Sequence, residues 1–462
     1  MTENTTNRLD PEYFAKAAVE AFRLLKTSPR LGNFVKNGYR VVYENTKSID
    51  REEGISLDLP FFLQSANINT PFINHEQMAC VSESDWIRYP RGRIKPGELL
   101  IEVKGKAEKV AVVPKDFPEK TLVTGTCYKL STHEDWQRSL LIAHLTGRYG
   151  SILKDRLKTN LLVAYIAKND LYRIPVPKLS EQLSEMIHQL VEGSLNTRNE
   201  ILSKQDAAQA ILLSGLGLSD WTPPEPLSYT ATASEIFNCG RIDAQYYMPA
   251  KKQVRQSLSA LPSRPLSEWV DSIRKQWVPA RAPGSTLVRN YDVTDALVPR
   301  LDSEKEPTTA AEIGSMKKVL NDGDVAISRL RAYLKEVAVV RTGDNIPSVG
   351  SSEFIVLRPK SSAISPETLM IFLRSSPVQT ILKWCQDGSQ HPRFSESDLL
   401  EIPVPNVVAE LSPEITKIVQ EGFAARYLAR KLLEAAKRSV EIAIEHGEPA
   451  SIAYIENIRK GI

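Results

Sequence analysis

Gly323-Asp-Val-Ala-Ile-Ser-Arg-Leu-Arg-Ala-Tyr-Leu-Lys-Glu-Val-Ala-Val-Val340 has a weaker copy earlier in the chain, Gly97-Glu-Leu-Leu-Ile-Glu-Val-Lys-Gly-Lys-Ala-Glu-Lys-Val-Ala-Val-Val113. The ends agree: a glycine, an acid and apolar residues in front, Val-Ala-Val-Val behind. The middles do not. Ser328-Arg-Leu-Arg-Ala-Tyr-Leu334 stands against Glu102-Val-Lys-Gly-Lys-Ala-Glu108. One apolar frame carrying two polar inserts implies a single fold used twice, each copy presenting its own chemistry.

The copies extend outward from this stretch. Arg8-Leu-Asp-Pro-Glu-Tyr-Phe14 and Arg241-Ile-Asp-Ala-Gln-Tyr-Tyr247 share Arg-apolar-Asp-x-x-Tyr-aromatic. Their separation of about 230 residues fits a duplicated domain better than a short solenoid unit. Asp10 is the expected helix cap and Pro11 the first helical residue. Between about residues 38 and 130 the runs Tyr39–Tyr43, Phe62–Ile68, Leu99–Val103 and Val110–Val113 read as short strands. The counterpart of Phe62–Ile68 is Val288–Val293. Residues 134–157 read as helical, and Pro366 to Cys385 answers them. Both copies close on Asp-Leu-x-x-Ile-Pro-Val-Pro, Asp170 to Pro177 and Asp398 to Pro405. Two prolines in four residues stop the preceding element and fix the exit direction.

A long helix is expected after each Ile-Pro-Val-Pro. The first covers about 180–213, with Leu183, Ile187, Leu190 and Val191 on one stripe. The second covers about 413–445, with Ile415, Ile418, Val419 and Phe423 on its stripe. Each would be about 50 Å long. Stripes this narrow predict an antiparallel coiled pair. The expected fold is α+β: two similar α/β globular domains separated by two long antiparallel coiled-coil helices, with a pseudo-twofold internal repeat. Its divisions are a first domain over 1–177, a helix over 178–214, a linker over 215–236, a second domain over 237–405, and a second helix with its tail over 406–462. The tail after Gly447 reads equally as a short helix or an extended end.

Composition narrows the class. The 462 residues are 42% hydrophobic and 25% charged, ample for real cores. A net charge of +3 neither requires nor forbids nucleic acid, since binding needs a local basic face. Four scattered cysteines with no C-x-x-C pair argue against a zinc site and a disulfide framework, and suit a reducing cytoplasm. No membrane span and no secretory leader are expected.

Four strings then carry a resemblance: Gly323-Asp-Val-Ala-Ile-Ser-Arg329, Ser352-Glu-Phe-Ile-Val-Leu-Arg-Pro359, Gly388-Ser-Gln-His-Pro-Arg-Phe-Ser395 and Ile402-Pro-Val-Pro405. With the layout, they resemble the specificity subunit of type I DNA restriction-modification systems. The first copy departs from the pattern, because Thr159-Asn-Leu-Leu-Val-Ala-Tyr-Ile166 replaces the Gly-Ser-x-x-Pro-Arg string. The resemblance implies two target-recognition domains reading a bipartite, asymmetric sequence in double-stranded DNA. It implies two modification subunits docked on the helices, bringing S-adenosylmethionine and methylating adenine. Restriction subunits are an optional further partner, and ATP and Mg²⁺ matter only where they join. This chain itself would carry no cofactor, no metal and no catalytic residue.

Arg329, Arg331, Tyr333 and Lys335 alternate with apolar residues, so on a strand they would share one face. Arginine reads guanine bidentately, which makes this set the expected base contacts of the second copy. Lys104, Lys106 and Lys109 around Gly105 are the matching set in the first. The bland alternative is a solvated face of a half-exposed sheet. Arg91, Arg93, Arg274, Lys275, Arg281, His391 and Arg393 are candidate backbone contacts, which position a protein on DNA without reading sequence. A plain basic loop, or for His391 and Arg393 a turn, explains them as well. Leu183, Leu190, Ile418 and Phe423 are the expected partner-docking positions on the long helices.

An enzymatic alternative rests on Glu102-Val-Lys104, the E-x-K ending of a metal-dependent nuclease site, with Asp85 or Asp58 upstream as a further ligand. A scaffold binding only proteins is a third reading. The sequence holds no Asn-Pro-Pro-aromatic methyltransferase string, no Walker A loop and no histidine pair at metal-ligand spacing. His188, in mid-helix, reads as a packing residue.

Overall fold

The computed structural model describes residues 11–41, 46–49, 59–74, 78–159, 164–388 and 390–461. The chain divides into two compact units, Met1–Asn199 with Ala425–Ile462, and Glu200–Ala424. The expected cap Asp10 lies outside the described residues. Pro11–Phe14 forms a 3₁₀ turn, and the helix proper is Lys16–Leu24.

In the first unit an antiparallel sheet runs in the order Val35–Arg40, Cys127–Thr132, Leu99–Glu102, Val110–Val112. Beside it Phe61–Leu63 pairs in parallel with Thr121–Val123. The second unit repeats both features. Its main sheet runs Val270–Ser272, Phe354–Pro359, Val325–Ser328, Val337–Arg341, then adds Arg300–Asp302. Its parallel pair is Leu287–Tyr291 with Ser348–Gly350. The registers match as well. Leu99 faces Val112 and Leu130, and Val325 faces Val339 and Leu357. The mixed α+β fold with two long helices is therefore as expected.

The shared residues of the two stretches have local jobs. Gly97 and Gly323 adopt φ of +79° and +84°, which a side chain resists. Their N–H groups donate to the Val113 and Val340 carbonyls at 2.8 and 3.0 Å. The acid that follows closes the turn: Glu98 accepts from the Lys95 N–H and Asp324 from the Asn321 N–H, both at 2.8 Å. The two Ile-Pro-Val-Pro strings also share one role. The Leu31 N–H donates to the Ile174 carbonyl at 2.8 Å, and the Leu266 N–H to Ile402 at 2.9 Å. All four side chains are fully buried.

The stretch 134–157 is two helices, Asp135–Thr146 and Arg148–Leu157, broken at Gly147. Its counterpart is likewise two, Pro366–Arg374 and Ser376–Cys385, broken at Ser375. The tail is helical, Glu448–Gly461, and Ile455 joins the first unit's core.

The long helices are Glu181–Gly215 and Ser412–His446, each contributing to both units. In the first unit Leu183, Ile187, Leu190 and Val191 bury against Leu433, Ala436 and Val440. In the second, Ala208 and Leu212 bury with Ile415, Val419 and Phe423. Lys204 forms an ion pair with Glu421 there, while a Cβ on Gly215 would meet Leu411, so the segments run antiparallel. One expectation is thereby corrected. Leu183, Leu190 and Phe423 are buried in this chain's own cores, and Ile418 packs against the second core. Apolar stripes of that width are consumed by intramolecular pairing, so Leu183, Leu190 and Phe423 offer a partner no exposed surface, while Ile418 stays half-buried.

Candidate nucleic-acid interface

The strand expected through Arg329–Lys335 ends at Ser328. A loop follows, tightened by a 3₁₀ turn over Ala332–Leu334 and flanked by Arg331 and Lys335 at φ of +44° and +53°. Arg329, Arg331, Tyr333 and Lys335 therefore do not share a pleated face. Left-handed backbone at non-glycine residues persists only where the surroundings hold it. Here a buried cation does the holding: Arg374 donates to the Lys335 and Val337 carbonyls at 2.8 and 2.9 Å.

The loop is not alone at the tip. The Arg331 N–H donates to the Pro392 carbonyl at 3.1 Å, and the Phe394 N–H to the Arg329 carbonyl at 3.2 Å. These bonds bring His391 and Arg393 against the hairpin, joining two sets that the sequence kept apart. Arg331 Nη2 lies 3.4 Å from His391 Nδ1. Arg393 makes a two-pronged pair with Glu353, Nε to Oε2 at 3.0 Å and Nη2 to Oε1 at 2.8 Å. Arg329 Nε lies 3.8 Å from Glu353 Oε2. The Arg393 guanidinium holds the Glu353 carboxyl below the usual carboxylate range. Burial instead pushes Glu336, at the loop's end, upward. Tyr333 is about half exposed.

The first unit builds its tip with the same backbone bonds. Glu102 N–H donates to the Lys109 carbonyl as Ser328 does to Glu336, both at 2.9 Å. Val103 donates to Thr126 as Arg329 does to Glu353. Gly105 donates to Ala164 as Arg331 does to Pro392. Ile166 donates to Val103 as Phe394 does to Arg329. Val103, Thr126 and Tyr165 thus occupy the places of Arg329, Glu353 and Arg393. The supporting cation is again present from a different residue: buried Lys154 donates to the Glu108 carbonyl at 3.1 Å, where Arg374 holds Lys335. Burial lowers Lys154 to about 8.

Around this first tip the polar groups are contiguous. The Lys104 backbone pairs with that of Tyr165 in an isolated antiparallel bridge. The Arg40 guanidinium lies 5.3 Å from the Tyr165 ring centre, and Arg91 lies 4.2 Å from that of Tyr39. Lys106 is exposed. Two candidates are engaged elsewhere. Lys109 donates to the Ser65 carbonyl at 3.0 Å, and Arg93 donates twice to the Trp86 carbonyl while lying over its ring. In the second unit Arg274, Lys275 and Arg281 are exposed, and Arg274 pairs with Glu396 at 2.9 Å. Counting along the matched strands, Arg274 occupies the place of Arg40. That equivalence emerges only from the strand registers; Glu353 lies in a string that carried the resemblance but had no role assigned, and Arg374 and Lys154 were not singled out by the sequence.

Among the described residues the nuclease constellation does not assemble. Glu102 is buried, and its Oε2 accepts from the Glu108 and Lys109 N–H groups at 3.0 and 3.4 Å, bracing the loop. Asp85 accepts from Ser82 at the start of its own helix. Asp58 lies outside the described residues. Among the described residues no three acid, histidine or cysteine side chains converge as a metal site, and no helix is long and apolar enough to cross a membrane. His188 packs as expected, its Nδ1 2.8 Å from Ser139 Oγ.

No protein-family model matches the chain, and no curated protein matches it. Solved structures do. The S subunit of a type-I restriction-modification system from M. genitalium is 12% identical, with 90% of this chain and 94% of that one covered and a TM-score of 0.37. A chain from a structure describing complex assembly and conformational transition of the type I R-M system is 15% identical, covering 90% and 97%, with a TM-score of 0.27. The HsdS subunit from Thermoanaerobacter tengcongensis is 14% identical, covering 90% and 96%, with a TM-score of 0.26.

Proposed function

We propose that this chain is a non-catalytic DNA-recognition subunit. Each unit reads one part of a bipartite, asymmetric duplex target through its hairpin tip. The observation that carries this reading is the pair of tips: one set of backbone hydrogen bonds presents Arg329, Glu353 and Arg393 in one unit, and in the other Thr126 and Tyr165, with Val103 turned into the core. A frame kept for its own stability has no need to change its outward chemistry so completely. A reader of two different half-sites does, because base edges are told apart by their donor and acceptor patterns. The tips offer cations and aromatic rings, the groups that contact phosphates, bases and guanine edges.

In this reading the chain recruits two modification subunits that bring S-adenosylmethionine and methylate adenine, with restriction subunits as an optional addition and the cytoplasm as the setting. The chain supplies no cofactor. The test is base-resolution methylation mapping in cells with and without the chain, beside enrichment of a random duplex library by the purified protein. A bipartite motif that appears only with the chain supports the proposal. Metal-dependent cleavage by the purified chain, abolished by Glu102→Ala, supports the nuclease instead. Binding to proteins with no duplex enrichment supports the scaffold.

A further inference from the structure

We propose that Glu353 makes the second tip selective, by holding Arg329 ready for a guanine edge; the proposal rests on the DNA-reading function above. Glu353 touches both Arg329 and Arg393. Its carbonyl accepts the Arg329 N–H at 3.0 Å. Its carboxylate takes two hydrogen bonds from Arg393 and lies 3.8 Å from Arg329 Nε. Arg393 spends its remaining terminal nitrogen on the His391 carbonyl at 3.0 Å. Arg393 is therefore tied down, and it ties the 391–393 segment to the hairpin.

Arg329 is held differently. Its Nε is buried without a hydrogen-bond partner among the described residues. Its side chain is 42% exposed, and no described residue bonds its terminal nitrogens. A guanidinium braced from behind by a carboxylate keeps its outer fork for guanine N7 and O6. Without the brace, a mobile arginine also serves any phosphate, which raises affinity for every sequence and carries no information. The carboxylate opposes that use by repelling phosphate. Thr126 stands at the matching place in the first unit, beside Val103 and Tyr165, so the frame does not require an acid there. The acid accompanies the arginines.

The test uses the full-length chain and a randomised duplex library, comparing wild type, Glu353→Gln, Arg393→Gln and the double variant. Glu353→Gln should lose about tenfold of the guanine preference at one half-site and keep the other half-site intact. Its affinity for bulk duplex should hold steady or rise, which structural damage does not produce. The double variant should be no more relaxed than the worse single one, since the pair acts as a unit. Glu353→Thr, which installs the first unit's residue, keeps the test decisive if Glu353→Gln disturbs folding. Unchanged guanine preference in these variants overturns the proposal, as does equal loss at both half-sites. Wild-type chain that enriches no sequence overturns the DNA-reading function itself, and this proposal with it.

Discussion

At the residue scale the tips depend on a few polar groups in apolar surroundings. Arg329→Ala should cost about 1–3 kcal/mol of discrimination at one half-site and leave the other unchanged, as read from enriched sequences. His144 makes a separate, pH-dependent prediction. It is buried with its Nε2 2.9 Å from the Pro175 carbonyl, and burial, with Lys154 nearby, lowers it to about 4 from 6.5. The folded state thus binds fewer protons than the unfolded chain between those values. The stabilising contribution is present above pH 6.5 and is lost as pH falls toward 4, amounting to about 3 kcal/mol at most. Denaturant titrations across that window should show a shallower pH slope for His144→Phe than for wild type. Arg329 was legible in the sequence as a candidate contact, but the burial of His144 was not. Long-range partners such as Pro175 for His144 and Glu353 for Arg393 are set by which segments the sheet brings together.

At the element scale the helices and turns were the legible part. Both long helices follow from their stripes and from the Ile-Pro-Val-Pro exits, and the paired Gly-acid turns follow from spacing. What the stripes cannot say is which surface covers them. Because Phe423 is buried in the second unit's core, Phe423→Ala should lower unfolding stability by roughly 3–5 kcal/mol, seen by calorimetry as a destabilised transition. The loss is one of folding and not of partner docking, so assembly below the melting transition should persist. Gly150 gives a sharper case. A Cβ there would collide with the His144 backbone carbonyl, which belongs to the preceding helix and has no rotamer to yield. Gly150→Ala should therefore destabilise the first unit by more than the roughly 1 kcal/mol range of helix propensity, measurable by thermal unfolding. The alternation of Arg329 to Lys335 misled in the opposite sense. Period-2 spacing is a strand signal only where a neighbouring strand continues, and here the ladder stops at Ser328.

At the scale of the whole molecule the duplication is the organising fact, and it makes its own prediction. Replacing 103–109, Thr126 and 164–166 with 329–336, Glu353 and 392–394 should give the first unit the second unit's base preference. Library enrichment should then return two related half-sites in place of two different ones. A chain that still selects its original asymmetric motif after this exchange refutes the tips as readers. The sequence by itself determined that one frame occurs twice, that long helices follow each copy, and that the inserts differ, because apolar periodicity and turn chemistry are local properties of the chain. Only the tertiary structure decided that Arg329, Glu353 and Arg393 meet, that Val103, Thr126 and Tyr165 take their places in the first unit, and that most of the helix stripes are already covered. Those contacts join segments far apart in sequence, and nothing in either segment alone specifies the partner that packing delivers.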